Sequence, residues 1–167
     1  MSATERYLAN NADYASRFAG PLAMEPSQHV AVVACMDARL NVYGALGLRE
    51  GEASVIRNAG GVITEDVIRS LAVSQQLLKT HEIILIHHTD CRMLAFPGYT
   101  LKEPIRSDWG MLPPWPEESF HDVATDVQRS ISRIQASPYI PHRDSVRGFV
   151  LDIATGQLEE VTSHSRR

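Results

Sequence analysis

Two short runs of aliphatic residues constrain this chain more than any other feature. They are HVAVVAC at residues 29–35 and EIILIHH at residues 82–88. Both have strand length, and neither alternates with polar residues. Each therefore reads as a strand covered on both faces, the type found in parallel sheets. A third run, ASVIRNA at 53–59, is closed by Gly60-Gly61, and a fourth, VRGFVLDI, spans 146–153.

The sequence between these runs supplies the covering layers. Thr64 stands where a helix N-cap belongs, with Glu65 and Asp66 placed to favour the positive end of the helix dipole. Val67, Ile68, Leu71, Ala72, Gln75 and Leu78 then follow a helical stripe that ends near Thr80. Phe120, Val123, Val127, Ile131 and Ile134 form a second apolar face, ended by Pro138 and Pro141. Residues 40–48 read as a short helix, and 92–116, rich in Gly, Pro and aromatics, mainly as loop. Thr155-Gly156 is a turn into a short returning strand, LEEV, and His164–Arg167 reads as a frayed tail.

The alternation predicts an α/β domain with a mainly parallel central sheet flanked by helices. At 167 residues the chain suits one domain: an arm over 1–28 and a core over 29–163. The arm holds a helix near 5–18 with Tyr7, Leu8, Asn11, Tyr14 and Phe18 on one side. It is too short to fold alone, so it is expected to pack on the core or on a partner subunit.

A net charge of −4 argues against a nucleic-acid partner, because binding a polyanion needs a basic surface. No apolar run approaches the roughly 20 residues of a membrane span. The N-terminus lacks the apolar core of a secretory signal, so the expected location is the cytoplasm.

The chain has two cysteines, Cys35 and Cys91. In a cytoplasmic protein, metal binding or catalysis is their expected use. Ligands of open α/β sheets lie beyond the carboxyl ends of the strands. Cys35 ends the first buried run; His88 ends another, with Cys91 three residues on. Together they offer two thiolates and an imidazole at one rim. Such a set suits zinc, with a fourth position open in a catalytic site. Each residue alone is as well explained as an ordinary core side chain; the grouping carries the reading.

Two further features lie beside this set. In Cys35-Met-Asp37-Ala-Arg39, an extended chain would point residues 35, 37 and 39 to one side, placing an Arg39-paired Asp37 next to the metal. In RNAGG, Ala59, Gly60 and Gly61 follow a strand, and the glycines permit close backbone approach, so these residues are candidates for lining a substrate pocket.

CMDAR, RNAGG and HHTDC, in this order and spacing, resemble the β-class carbonic anhydrases, in particular a compact bacterial-type subgroup. The likeness is densest over 29–96. It implies Cys35, His88 and Cys91 as zinc ligands and Asp37–Arg39 as a catalytic pair. In some members the aspartate itself moves onto the zinc in an inactive state. The resemblance also implies a homodimer or a dimer of dimers (a homotetramer), with the N-terminal helix embracing the partner. One departure is Arg92, where the family usually has glycine after the second cysteine. Arg92 points to solvent or partner, or it charges the pocket entrance.

The implied reaction is zinc-dependent hydration of CO2 to bicarbonate. Zinc lowers the pKa of a bound water from about 16 to roughly 7, supplying hydroxide. Carbonyl sulfide and carbon disulfide have the same linear shape, and hydrolysis of either is the alternative. A non-catalytic zinc or thiol-redox module is a third reading, disfavoured by the Asp37–Arg39 pair. His87 is a proton-shuttle candidate by adjacency alone, since its side chain should point away from that of His88. No G-x-G-x-x-G or G-x-S-x-G motif supports a dinucleotide enzyme or a serine hydrolase.

Overall fold

A computed structural model describes residues 2–94 and 100–162. Its centre is a five-stranded sheet in the order β2-β1-β3-β4-β5. The strands are β1 (Val30–Cys35), β2 (Ala53–Asn58), β3 (Glu82–His88), β4 (Val146–Leu151) and β5 (Leu158–Glu160). β1 runs parallel to β2 and β3, β3 runs parallel to β4, and β5 returns antiparallel at the edge. The α/β reading therefore holds, including the short final strand.

The unbroken apolar runs have the expected cause. Ala31, Val33, Ile83 and Leu85 pack into one buried cluster, while Val32, Ala34 and Ile86 pack into another. Successive side chains of a strand point to opposite faces, so both faces of β1 and β3 are covered. Helix α3 (Glu65–Leu78) covers the first cluster with Val67, Ile68 and Leu71. Helix α5 (Val123–Ala136) adds Ile134 and, partly buried, Ile131. Leu71 and Ile134 are fully buried, each worth about 1.5–3 kcal/mol relative to exposure. Thr64 caps α3 as expected, its side chain accepting from the Val67 amide.

Helix α1 (Ala3–Arg17) starts at a Ser2–Glu5 capping box and buries no residue on this chain. Tyr7 and Leu8 are 65% and 66% exposed, so the apolar side of α1 is left uncovered here. Tyr14 reaches the body, donating to the Glu50 carboxylate at 3.0 Å. Helix α2 (Val42–Leu46) lies where a short helix was expected.

Two expectations are refined by the structure. The described part of 92–116 is mainly irregular, as expected, but it also contains helix α4 (Lys102–Trp109). Its proline, Pro104, sits in the first turn, where amide hydrogens have no intrahelical partner to lose. Gly110 ends α4 in the left-handed conformation, and the Glu117 carboxylate accepts from the Leu101 amide before its start. Phe120 also belongs to no helix: α5 begins at Val123, and Phe120 is buried in the second core cluster. The tail at 164–167 lies outside the described residues.

Candidate metal centre

The register brings the ligands together. Ala34 of β1 lies beside Ile86 of β3, so Cys35 and His88 emerge from neighbouring strands at one rim. Thr89 and Asp90 then turn the chain, and Asp90 adopts φ 53° to bring Cys91 back. The turn is fastened to β4 by the Thr89 amide, which donates to Leu151 at 3.0 Å. The ligand atoms of Cys35, His88 and Cys91 all lie within 4.8 Å of one another, and all three residues are buried. The two sulfurs are 3.9 Å apart, within hydrogen-bond reach, and form no disulfide.

His88 is held in one tautomer. Its Nδ1 lies 2.8 Å from the Thr89 carbonyl, which can only accept, so Nδ1 carries the hydrogen. Nε2 therefore presents a lone pair. It is buried, without a hydrogen-bond partner, and aimed among the two sulfurs. An orphaned buried acceptor is costly unless something occupies it. A metal ion fits that position, and two soft thiolates with one imidazole suit zinc. The Thr89 carbonyl, by holding the other ring nitrogen, also fixes the orientation of the imidazole.

The two thiols diverge in acidity. The hydrogen bond from Cys91 lowers the pKa of Cys35, with help from His88 and the backbone amides of Asp37 and Gly60. Cys91 moves up, because it is the donor to Cys35 and is itself buried. The His88 pKa is raised, chiefly by the neighbouring Cys35 sulfur, against the opposing effect of burial.

Asp37 stands over the centre, its Oδ2 3.8 Å from His88 Nε2. Arg39 binds it with Nε at 3.0 Å and a terminal nitrogen at 2.8 Å. These hydrogen bonds, with the Arg39 backbone amide, hold the Asp37 carboxyl far below the ordinary carboxylate range. The pairing does not arise from an extended chain. β1 stops at Cys35, and a turn follows in which the Leu40 amide donates to the Asp37 carbonyl at 3.0 Å. Within that turn Asp37 Oδ1 accepts from the Arg39 amide at 2.9 Å. Arg39 also reaches Asp90 at 2.8 Å, tying the Asp37 turn to the turn that carries Cys91.

Within RNAGG the sequence singles out Ala59, Gly60 and Gly61 as pocket lining, yet Arg57 is the brace. Its guanidinium donates to the Cys35 carbonyl at 3.0 and 2.8 Å and to the Asp37 carbonyl at 2.7 Å. A strand-end arginine beside two glycines was the available signal. Gly61 approaches so closely that a Cβ there would lie 2.9 Å from the Cys35 nitrogen. Ala59 is half-buried, and Gly60 is buried against Met93. Arg92 is exposed, and its charge contributes to lowering the Asp90 pKa, behind the larger effect of Arg39. His87 points away from the centre: it is fully buried, with Nε2 2.9 Å from the Asp126 carboxylate of α5.

Two cysteines and a histidine buried together at the rim of a mainly parallel sheet, overlooked by a clamped carboxylate, place the chain in the class of α/β proteins with a cluster that could hold one metal ion at the strand ends. The family model for carbonic anhydrase matches residues 30–137. The β-carbonic anhydrase 1 of Mycobacterium tuberculosis is 59% identical over 162 residues, covering 97% of this chain and 99% of that protein. A carbon disulfide hydrolase of Acidithiobacillus thiooxidans is 32% identical over 148 residues, covering 76% of this chain and 74% of that protein. The crystal structure of a carbonic anhydrase from Streptococcus mutans superposes with a TM-score of 0.90 at 37% identity, covering 97% of this chain and 99% of that one. The chain belongs to the β-carbonic anhydrase family, an enzyme family, and carbon disulfide hydrolases are among its relatives.

Proposed function

We propose that this chain is a zinc enzyme that hydrates CO2 to bicarbonate, with Cys35, His88 and Cys91 as the protein ligands. The observation that carries the reading is the unpartnered Nε2 of His88, buried among two sulfurs with Asp37 3.8 Å away. Bound there, zinc would supply the Lewis acidity that makes water a nucleophile near neutral pH.

The chain's own residues do the rest. Arg39 keeps Asp37 ionised and fixes its direction, so Asp37 accepts a hydrogen bond from the attacking water and orients it. Arg57 holds the Cys35–Asp37 turn in place, and Gly60 directs its amide at the Cys35 sulfur. Water adds to the substrate carbon, giving bicarbonate and one proton, which leaves to buffer. His87 takes no part in that transfer, being enclosed with Asp126. Ala59, Gly60 and Gly61 line the pocket.

A second reading, hydrolysis of carbon disulfide or carbonyl sulfide, has a specific support in the relative from Acidithiobacillus thiooxidans. A non-catalytic zinc or thiol-switch role is disfavoured by membership in an enzyme family. The uncovered apolar side of α1 supports a homo-oligomer, a dimer or a dimer of dimers, in which the 1–28 arm lies on a partner. Among the described residues no helix is long and apolar enough to cross a membrane, and a cytoplasmic location is part of this proposal.

The test is a side-by-side measurement of kcat/KM for CO2, carbonyl sulfide and carbon disulfide on zinc-loaded protein at mildly alkaline pH. Dominant CO2 hydration is expected. Dominant turnover of a sulfur substrate would replace the first reading by the second. No turnover of any of them would remove both.

A further inference from the structure

The sheet has a second rim. The carboxyl ends of the strands hold Cys35 and His88, whereas the amino ends carry three histidines. His29 precedes β1, His81 precedes β3, and His142 lies in the segment leading to β4. β1, β3 and β4 are neighbours in the sheet. Val30 lies beside Glu82, and Ile83 beside Val146, so the register sets the three histidines next to one another. The His29 and His81 ring centres are 5.4 Å apart, and those of His81 and His142 are 4.7 Å apart. All three residues are exposed.

We propose that His29, His81 and His142 form a second metal site, for an imidazole-preferring divalent ion such as Ni2+, Zn2+ or Cu2+. Two imidazoles sharing one tetrahedral ion at about 2.0–2.1 Å have ring centres on the order of 5 Å apart. The two observed spacings, His29 to His81 and His81 to His142, are of that order. The nitrogens do not converge as tightly as the ligand atoms of Cys35, His88 and Cys91. The His29 and His81 rings lie only 10° from parallel, so His81 turns about its side-chain torsions to bring a nitrogen inward. As an exposed side chain, it is free to do so.

The surrounding bonds favour this use. His29 Nδ1 lies 2.9 Å from the Lys79 carbonyl. A carbonyl only accepts, so Nδ1 carries the hydrogen and Nε2 keeps its lone pair, the tautomer a ligating imidazole needs. The His81 amide donates to the His29 carbonyl at 2.7 Å. The His142 backbone is gripped on both sides by the Gln75 amide, at 2.9 and 2.8 Å. Three ligands are thus fixed at the backbone and adjustable at the ring, and the remaining coordination positions are left to water. The site is independent of the thiolate centre at the opposite rim.

Isothermal titration of tag-free, zinc-loaded protein with Ni2+ tests the proposal, with zinc release counted in parallel. One further ion per chain is expected, without loss of the resident zinc. His81→Ala and His142→Ala should each weaken its binding by ~10-fold or more, leaving circular dichroism and CO2 turnover unchanged. In the wild type, paramagnetic Ni2+ should broaden the backbone amide signals of His81 and Glu82. Absence of a further ion, uptake matched by zinc release, or undiminished binding in His81→Ala would each overturn the assignment.

Discussion

Arg39 grips Asp37 through two side-chain nitrogens, at 3.0 and 2.8 Å, while a third reaches Asp90 at 2.8 Å. One guanidinium therefore sets both the direction of the carboxylate over the candidate metal centre and the position of the turn carrying Cys91. Arg39→Ala should lower kcat/KM roughly 10- to 100-fold with zinc content retained, the loss typical when a group that orients a catalytic side chain is removed. Arg39→Lys should rescue little, because a point charge cannot reproduce the two-pronged grip. Unchanged kcat/KM in Arg39→Ala would remove Asp37 orientation from the mechanism.

Gly61 adopts φ +72°, and a Cβ there would lie 2.9 Å from the Cys35 nitrogen, 3.1 Å from the Ala34 carbonyl carbon and 3.2 Å from the Ile86 oxygen. These are backbone atoms of the two strands that carry ligands, so nothing flexible can give way. Left-handed strain and overpacking together predict that Gly61→Ala costs roughly 2–5 kcal/mol. Gly156 has a similar φ of +77° but open space around it, and Gly156→Ala should cost only the strain, about 1–2 kcal/mol. Urea unfolding of both variants checks the contrast, and equal losses would refute the close-approach argument.

Most of the frame was legible because its signals are local. Strands β1 and β3 announce themselves as unbroken apolar runs, and α3 carries both its stripe and its Thr64 cap. The clustering of Cys35, His88 and Cys91 was legible for the same reason, since Cys35 and His88 sit at run ends and adjacent parallel strands align those ends. What escaped depends on distant partners or on turn geometry. Helix α4 is masked by its own proline and glycine, and its start is held by Glu117, more than a dozen residues away. Asp126 is the partner of His87 across 39 residues, which no local pattern encodes. The Asp37–Arg39 pair was foreseen for an incorrect reason, because the chain turns where it was expected to extend. The bracing by Arg57 needs β1 and β2 side by side before it has any meaning.

Cys35 and Cys91 are buried, with sulfurs 3.9 Å apart and acidities pushed in opposite directions. The thiolate is the reactive form, so the two should differ sharply once no metal competes for them. Zinc-loaded protein should react slowly with a thiol reagent at neutral pH. After chelation, one thiol per chain should react first, and peptide mapping by mass spectrometry should place it at Cys35. Labelling of Cys91 first would show that the proton is shared the other way.

Asp122 caps α5, its Oδ1 accepting from the Thr125 amide at 2.7 Å. Hydrogen bonding from Thr125 holds the carboxyl below its ordinary value. A group whose folded pKa is depressed stabilises the fold fully above its unfolded pKa, about 3.9, and loses that contribution as pH falls through the folded value. Asp122→Ala should therefore cost about 1 kcal/mol at neutral pH, a typical N-cap loss. The gap to wild type should shrink on acidification below about 3.9, because the wild-type cap is itself being protonated. Asp122→Asn should stay near wild type at neutral pH, since its amide oxygen still accepts from Thr125. Urea unfolding followed by circular dichroism across that pH range measures all three proteins. A gap that widens toward acid would mean that the Asp122–Thr125 hydrogen bond is not what depresses the Asp122 pKa and caps α5.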